Sequence, residues 1–179
     1  SRRRMIRVLD IIEDTMVDGT GLRTSIYAAG CAHRCQGCHN PQSWDFGAGR
    51  LMSTEEIMDI IKADPFADVT FSGGDPMYQA DGFAELAASI KRDTDKTIWC
   101  YTGFTFEELL ADETKHRLLS LIDVLVDGKF VEELKSPDLI FRGSSNQRII
   151  DVKKSLEAGE VIWLEGVWRR KMGSGNIYE

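Results

Sequence analysis

Short apolar runs alternate with longer amphipathic stretches along this chain, and most runs are closed by a turn signal. Residues 24–29 (TSIYAA) are rich in strand formers and stop at Gly30. Ser53-Thr54-Glu55-Glu56 then opens a helix, with Ser53 as N-cap, Glu56 completing a capping box, and Ile57, Ile60 and Ile61 as the buried stripe. Residues 68–72 (DVTFS) predict the next strand, cut off by Gly73-Gly74, and residues 80–92 predict a helix followed by a strand at 97–101 (TIWCY). Helices are expected over 105–110 and 114–121, and a strand over 123–126 (DVLV), ended by Asp127-Gly128. Residues 139–142 (LIFR) are expected to add another strand, with extended chain again at 148–152 and 161–164.

Strands alternating with helices imply right-handed crossovers and a parallel sheet covered by helices. No repeat, low-complexity tract or Pro- or Ser-rich linker divides the chain, so residues 1–179 are expected to form one domain, with its core at about 14–152 and a C-terminal extension at 155–179. Gly-Ser-Gly at 173–175 predicts mobility there, and 161–168 is a candidate docking segment. A complete eight-stranded barrel takes about 250 residues, more than this chain has. The expected fold is therefore α/β, a partial, open parallel α/β barrel.

Charge narrows the choice of partners. Lys and Arg number 22 against 29 Asp and Glu, a formal net charge of -7, and wide phosphate-backbone binding needs the opposite balance. Nucleic acid is not expected as a partner. The four arginines within residues 1–7, and the cluster Arg169-Arg170-Lys171, read as solvated. No apolar run is long enough to span a bilayer and the N-terminus lacks a signal-peptide core, so no membrane association and a cytoplasmic location are expected.

Three of the four cysteines fall within eight residues, Cys31-Ala-His-Arg-Cys35-Gln-Gly-Cys38. A secreted disulfide framework would spread them, so the reading is a reduced compartment and a metal site. Thiolates are the usual ligands of iron–sulfur clusters, and a four-iron cluster ordinarily takes four. Three thiolates with no fourth nearby leave one iron open. The alternative is a zinc site completed by His33 or His39, although structural zinc usually draws ligand pairs from two separated segments. Cys100, between Trp99 and Tyr101, reads as a small buried hydrophobe.

Position adds weight to composition. Cys31 to Cys38, Gly73 to Pro76, Thr102-Gly103 and Asp127 to Lys129 each follow directly on a predicted strand. In parallel α/β sheets those loops converge on one face, where sites are built. The four segments are expected to form one pocket.

The C-x3-C-x2-C loop and Ser72-Gly73-Gly74-Asp75-Pro76 resemble the radical S-adenosylmethionine superfamily, the second segment being similar to its Gly-Gly-Glu-Pro motif. That resemblance implies a 4Fe-4S cluster on Cys31, Cys35 and Cys38, S-adenosylmethionine bound at the open iron, and a 5′-deoxyadenosyl radical as reagent. Gly73, Gly74 and Asp75 would receive the methionyl amino group. Over roughly residues 14–147 the chain is most similar to the activases of glycyl-radical proteins, and among these to the activase family of anaerobic (class III) ribonucleotide reductase. The likeness runs through Gly19, Gly21 and Arg23, then 38–44 (CHNPQSW), 101–104 (YTGF), 126–130 (VDGKF) and 142–147 (RGSSNQ). It departs at Thr20, in place of a proline, and at Gly37, where many superfamily members carry an aromatic residue.

By that resemblance Gly37, Cys38 and His39 would touch the adenine. Asp127 and Lys129 would make polar contacts to the cofactor, beside Thr102, and Asn146 would bond the nucleoside. No side chain beyond cluster and cofactor is expected to be catalytic. The implied partners are a glycyl-radical protein as substrate, namely anaerobic ribonucleotide reductase, and a flavodoxin-type electron donor. An activase of another glycyl-radical enzyme such as pyruvate formate-lyase, a radical enzyme with a small-molecule substrate, and a zinc-stabilised binding module stay open. Among the remaining residues, His33 and His116 read as solvated, Trp44 and Trp99 as core, and Arg23 as an anchor for the cysteine loop.

Overall fold

The computed structural model describes residues 4–166. Arg2, Arg3, the cluster Arg169-Arg170-Lys171 and the segment 173–175 therefore lie outside the described residues, as does the end of the 161–168 segment. One seven-stranded sheet organises the rest: β1 (Met5–Thr15), β2 (Arg23–Ala28), β3 (Arg50–Ser53), β4 (Asp68–Gly73), β5 (Ile98–Tyr101), β6 (Val124–Asp127) and β7 (Arg148–Asp151). Its strand order is β3-β1-β2-β4-β5-β6-β7, and it does not close on itself.

The expectation of a parallel sheet holds only for the centre. β2, β4, β5 and β6 are parallel, whereas β1 runs antiparallel to both β2 and β3, and β7 antiparallel to β6. The physical reason is connection length. Only seven residues join β1 to β2, fewer than a parallel crossover requires. β1 also corrects the reading of the N-terminal arginine block, because Met5, Ile6 and Arg7 pair with β3 and Ile6 and Val8 are buried.

Five α-helices are described: α1 (Thr54–Ala63), α2 (Ala80–Asp93), α3 (Phe106–Ala111), α4 (Glu113–Leu119) and α5 (Val152–Ala158). The Ser53 hydroxyl accepts the Glu56 amide at 3.1 Å and the Glu56 carboxylate accepts the Ser53 amide at 3.1 Å, the expected capping box. Thr105 and Glu108 repeat the device at the start of α3. α2 buries Phe83, Leu86 and Ile90 against the sheet, each worth about 1.5–3 kcal/mol of apolar burial.

Period-2 alternation sorts the strand side chains by face. Ile26, Ala28, Val69, Phe71, Ile98, Cys100, Leu125 and Ile150 join the main helix-side core. Trp99, Val124, Val126 and Ile149 form a second cluster on the other face, under Phe141 and Trp163. Residues 139–142 are not a strand, because Phe141 takes a left-handed backbone (φ 61°) that breaks the run. Its ring instead meets Trp99 edge-on, 5.3 Å away. Residues 148–151 are extended as expected, and Trp163 bridges Ile150.

Arg23 does not anchor the cysteine loop. β2 carries it to the opposite end of the sheet, where its guanidinium donates to the carbonyls of Thr20 and Val69 at 2.8 and 2.7 Å and stacks on Trp99. No described helix is long and apolar enough to cross a membrane.

Candidate functional site

The loops after β2, β4, β5 and β6 meet, as expected, at the carboxyl ends of the four parallel strands. Together they line a cavity of about 180 Å³. Cys31, Cys35 and Cys38 form one wall, each half-buried and unpaired with another cysteine. Gly73, Gly74, Asp75 and Thr102 line it as well. Cys100 is fully buried in the helix-side core, and burial pushes its thiol well up.

The cysteine loop is shaped by its own backbone. Gly30 and Cys31 amides donate to the carbonyls of Ser43 and Trp44, closing the loop at its base. The Cys38 amide donates to the Cys35 carbonyl at 3.2 Å, and the Asn40 amide reaches the Cys38 sulfur at 3.4 Å. Burial raises the Cys31 thiol above its ordinary value, so metal loading there must displace a proton. Among the described residues, no three His, Cys, Asp or Glu side chains converge as ligands of one metal ion. Three thiols spread round a cavity suit a cluster, in which each sulfur binds its own iron.

At Gly73 the cavity wall requires glycine. Its φ is 114°, and a Cβ there would collide with the backbone of Ala28 on the neighbouring strand. Asp75 then turns inward, about 1% exposed. One carboxylate oxygen accepts the Met77 amide at 2.9 Å; the other accepts the Thr102 hydroxyl and the Gly103 amide, both at 2.9 Å, and lies 2.7 Å from His33 Nε2. Both oxygens are thus engaged by the protein itself. His33, expected to be solvated, has a side chain only 5% exposed. His116 is exposed, Trp99 is core and Trp44 is half-buried under Arg34.

The other expected residues sit around the rim. Gly37 is exposed beside Glu132, and His39 is exposed with its ring 5.4 Å from that of Phe130, which lines the cavity. Asp127 points away from the cavity, accepting Arg148 Nε at 3.0 Å and Nη2 at 2.6 Å together with the Phe106 amide at 2.7 Å. Lys129 and Asn146 flank an adjoining groove with Asp127 and Arg148. Asn146 is tied to the Lys129 carbonyl at 2.8 Å and to the Ser144 hydroxyl at 2.6 Å. Sequence reasoning overlooked Tyr101, Phe130 and Gln147 as cavity residues. Tyr101 carried the signal of lying one residue before a strand-end loop. Gln147 reaches the cavity through a long-range bond to the Gly128 carbonyl that local pattern does not show.

A family model described as a 4Fe-4S single cluster domain matches residues 17–150, which gives the class of the protein. The chain is 41% identical over 143 residues to the anaerobic ribonucleoside-triphosphate reductase-activating protein of Vibrio cholerae, covering 75% of this chain and 90% of that relative. The protein of the same description from Escherichia coli K12 is 38% identical over 143 residues (74% and 90% covered), and that of enterobacteria phage T4 is 32% identical over 139 residues (74% and 86%). The chain belongs to this family of anaerobic ribonucleoside-triphosphate reductase-activating proteins.

Proposed function

We propose that the chain is a radical S-adenosylmethionine enzyme that installs a glycyl radical on anaerobic ribonucleoside-triphosphate reductase. The observation that carries this reading is the meeting of four strand-end loops around a cavity lined by three thiols and by Gly73-Gly74. The names of the relatives supply the partner. Cys31, Cys35 and Cys38 would hold a 4Fe-4S cluster and leave its fourth iron open. Backbone at Gly73 and Gly74 would face the cofactor's methionyl group. When bound, cluster and cofactor supply one-electron chemistry, yielding methionine and, once a hydrogen atom has left the partner's glycine, 5′-deoxyadenosine.

The chain's own part is to orient and to shield. Tyr101 and Phe130 put apolar surface around the cavity, and burial raises the Tyr101 hydroxyl well up. The open sheet would serve as the partial barrel of this class, and its rim would admit a glycine-bearing loop of a protein substrate. Gly37 and His39 would border the adenine. Lys129 and Asn146, in the adjoining groove, would approach the nucleoside end, with Asp127 holding that loop through Arg148. A flavodoxin-type donor would provide the electron, in the cytoplasm, to a single-domain chain.

The test is anaerobic reconstitution with iron and sulfide, then reduction in the presence of S-adenosylmethionine, read by electron paramagnetic resonance and 5′-deoxyadenosine formation. A reduced four-iron signal altered by the cofactor, absent from a Cys31, Cys35, Cys38 triple-alanine variant, is the expected result. Zinc binding alone with the cofactor left intact would refute the proposal.

A further inference from the structure

We infer that His33 is a positioning residue: through Asp75 it locks the cysteine loop onto the loops after β4 and β5, and so fixes where the three thiolates stand. The inference rests on reading that loop as the holder of an iron–sulfur cluster. His33 sits between Cys31 and Cys35, on a segment whose neighbours Ala32, Arg34 and Gln36 are exposed. Of these four residues it alone turns its side chain inward. Its contact with Asp75 ties this segment to the loops after β4 and β5.

The socket is specific in shape. The imidazole lies edge-on to Phe104, with centroids 4.6 Å apart, and 5.4 Å from the Tyr78 ring. Gly103 forms its roof, because a Cβ at that position would lie 2.5 Å from His33 Cδ2. Asp75 receives amides from Met77 and Gly103 and a hydroxyl from Thr102, so it behaves as an acceptor, and His33 Nε2 is the donor in their 2.7 Å contact. One carboxylate thereby joins three loops that line the cavity. Removing the donor takes one of four hydrogen bonds from a buried carboxylate and frees the loop that carries the thiols. Partners of this outer kind typically change metal retention by about 10- to 100-fold.

The experiment compares wild type with His33→Gln and His33→Met, side chains of similar length that differ in having a donor. After anaerobic reconstitution, release of iron to a ferrous chelator is timed, the reduced cluster's paramagnetic resonance line shape is recorded, and thermal melting of the cluster-free chains is measured. The expected result is release about tenfold faster from His33→Met, with a broadened line shape, and release within about threefold of wild type from His33→Gln. Should His33→Met fail to fold, His33→Ala with and without added imidazole makes the same comparison, and retention restored by imidazole supports the lock. Equal release from wild type, Gln and Met variants, or no rescue by imidazole, would overturn the inference while leaving the cluster in place. A wild type that takes up no iron and sulfide would overturn the cluster reading, and this inference with it.

Discussion

Asp75, just past β4, and Asp127, at the end of β6, occupy equivalent places at the same edge of the sheet. Each is about 1% exposed and has both carboxylate oxygens engaged. Their partners differ. Asp75 collects two amides, a hydroxyl and an imidazole from the loops that line the cavity. Asp127 faces away and grips Arg148 and the first amide of α3, fastening α3 and β7 to β6. Arg148 extends the pair to Glu107, whose carboxyl it holds below the ordinary range. A carboxylate at a strand end therefore has its role set by the loops it faces: Asp75 organises the site, and Asp127 organises the fold behind it.

That division can be broken by substitution. The largest effect falls on the site itself: Cys35→Ala should abolish cluster uptake, while urea unfolding of the cluster-free chain moves by less than about 0.5 kcal/mol. Asp127→Ala should act the other way, costing about 3 kcal/mol because Arg148 and the α3 amide lose their partner, with the folded fraction still taking up a wild-type complement of iron. Iron loss at full stability in that variant would erase the distinction between the two aspartates. Cys100→Ala should cost about 1 kcal/mol as a small buried hydrophobe, and iron analysis should match wild type; a deficit would place Cys100 among the ligands. Glu107→Gln, on a side chain 60% exposed, should cost less than about 0.5 kcal/mol, which chemical denaturation resolves from the Asp127 effect.

Much of this contrast was legible in the sequence, and the remainder was not for identifiable reasons. The four strand-end segments belong together because a parallel sheet forces such loops onto one edge, and Ser53 with Glu56 announces a helix start through local chemistry. β1 and β3 escape local pattern because their pairing is long-range: Ile6 acquires meaning only beside Met52, and Val8 only beside Arg50. Residues 139–142 have strand-like composition, yet a left-handed turn at Phe141 sends them over Trp99. His33 looked solvated because its socket comes from Gly103 and Phe104, about seventy residues away in sequence. Asp127 looked ready for a ligand because Arg148, which occupies it, stands on the next strand.

The most direct test of the central claim is electron paramagnetic resonance of an anaerobic mixture of the reconstituted chain, reductant, S-adenosylmethionine and anaerobic ribonucleoside-triphosphate reductase. The account expects a glycyl radical signal on the reductase that requires the cofactor and disappears with Cys35→Ala. A reductase left without radical by this chain, while the Escherichia coli relative generates the signal on the same reductase, would contradict it.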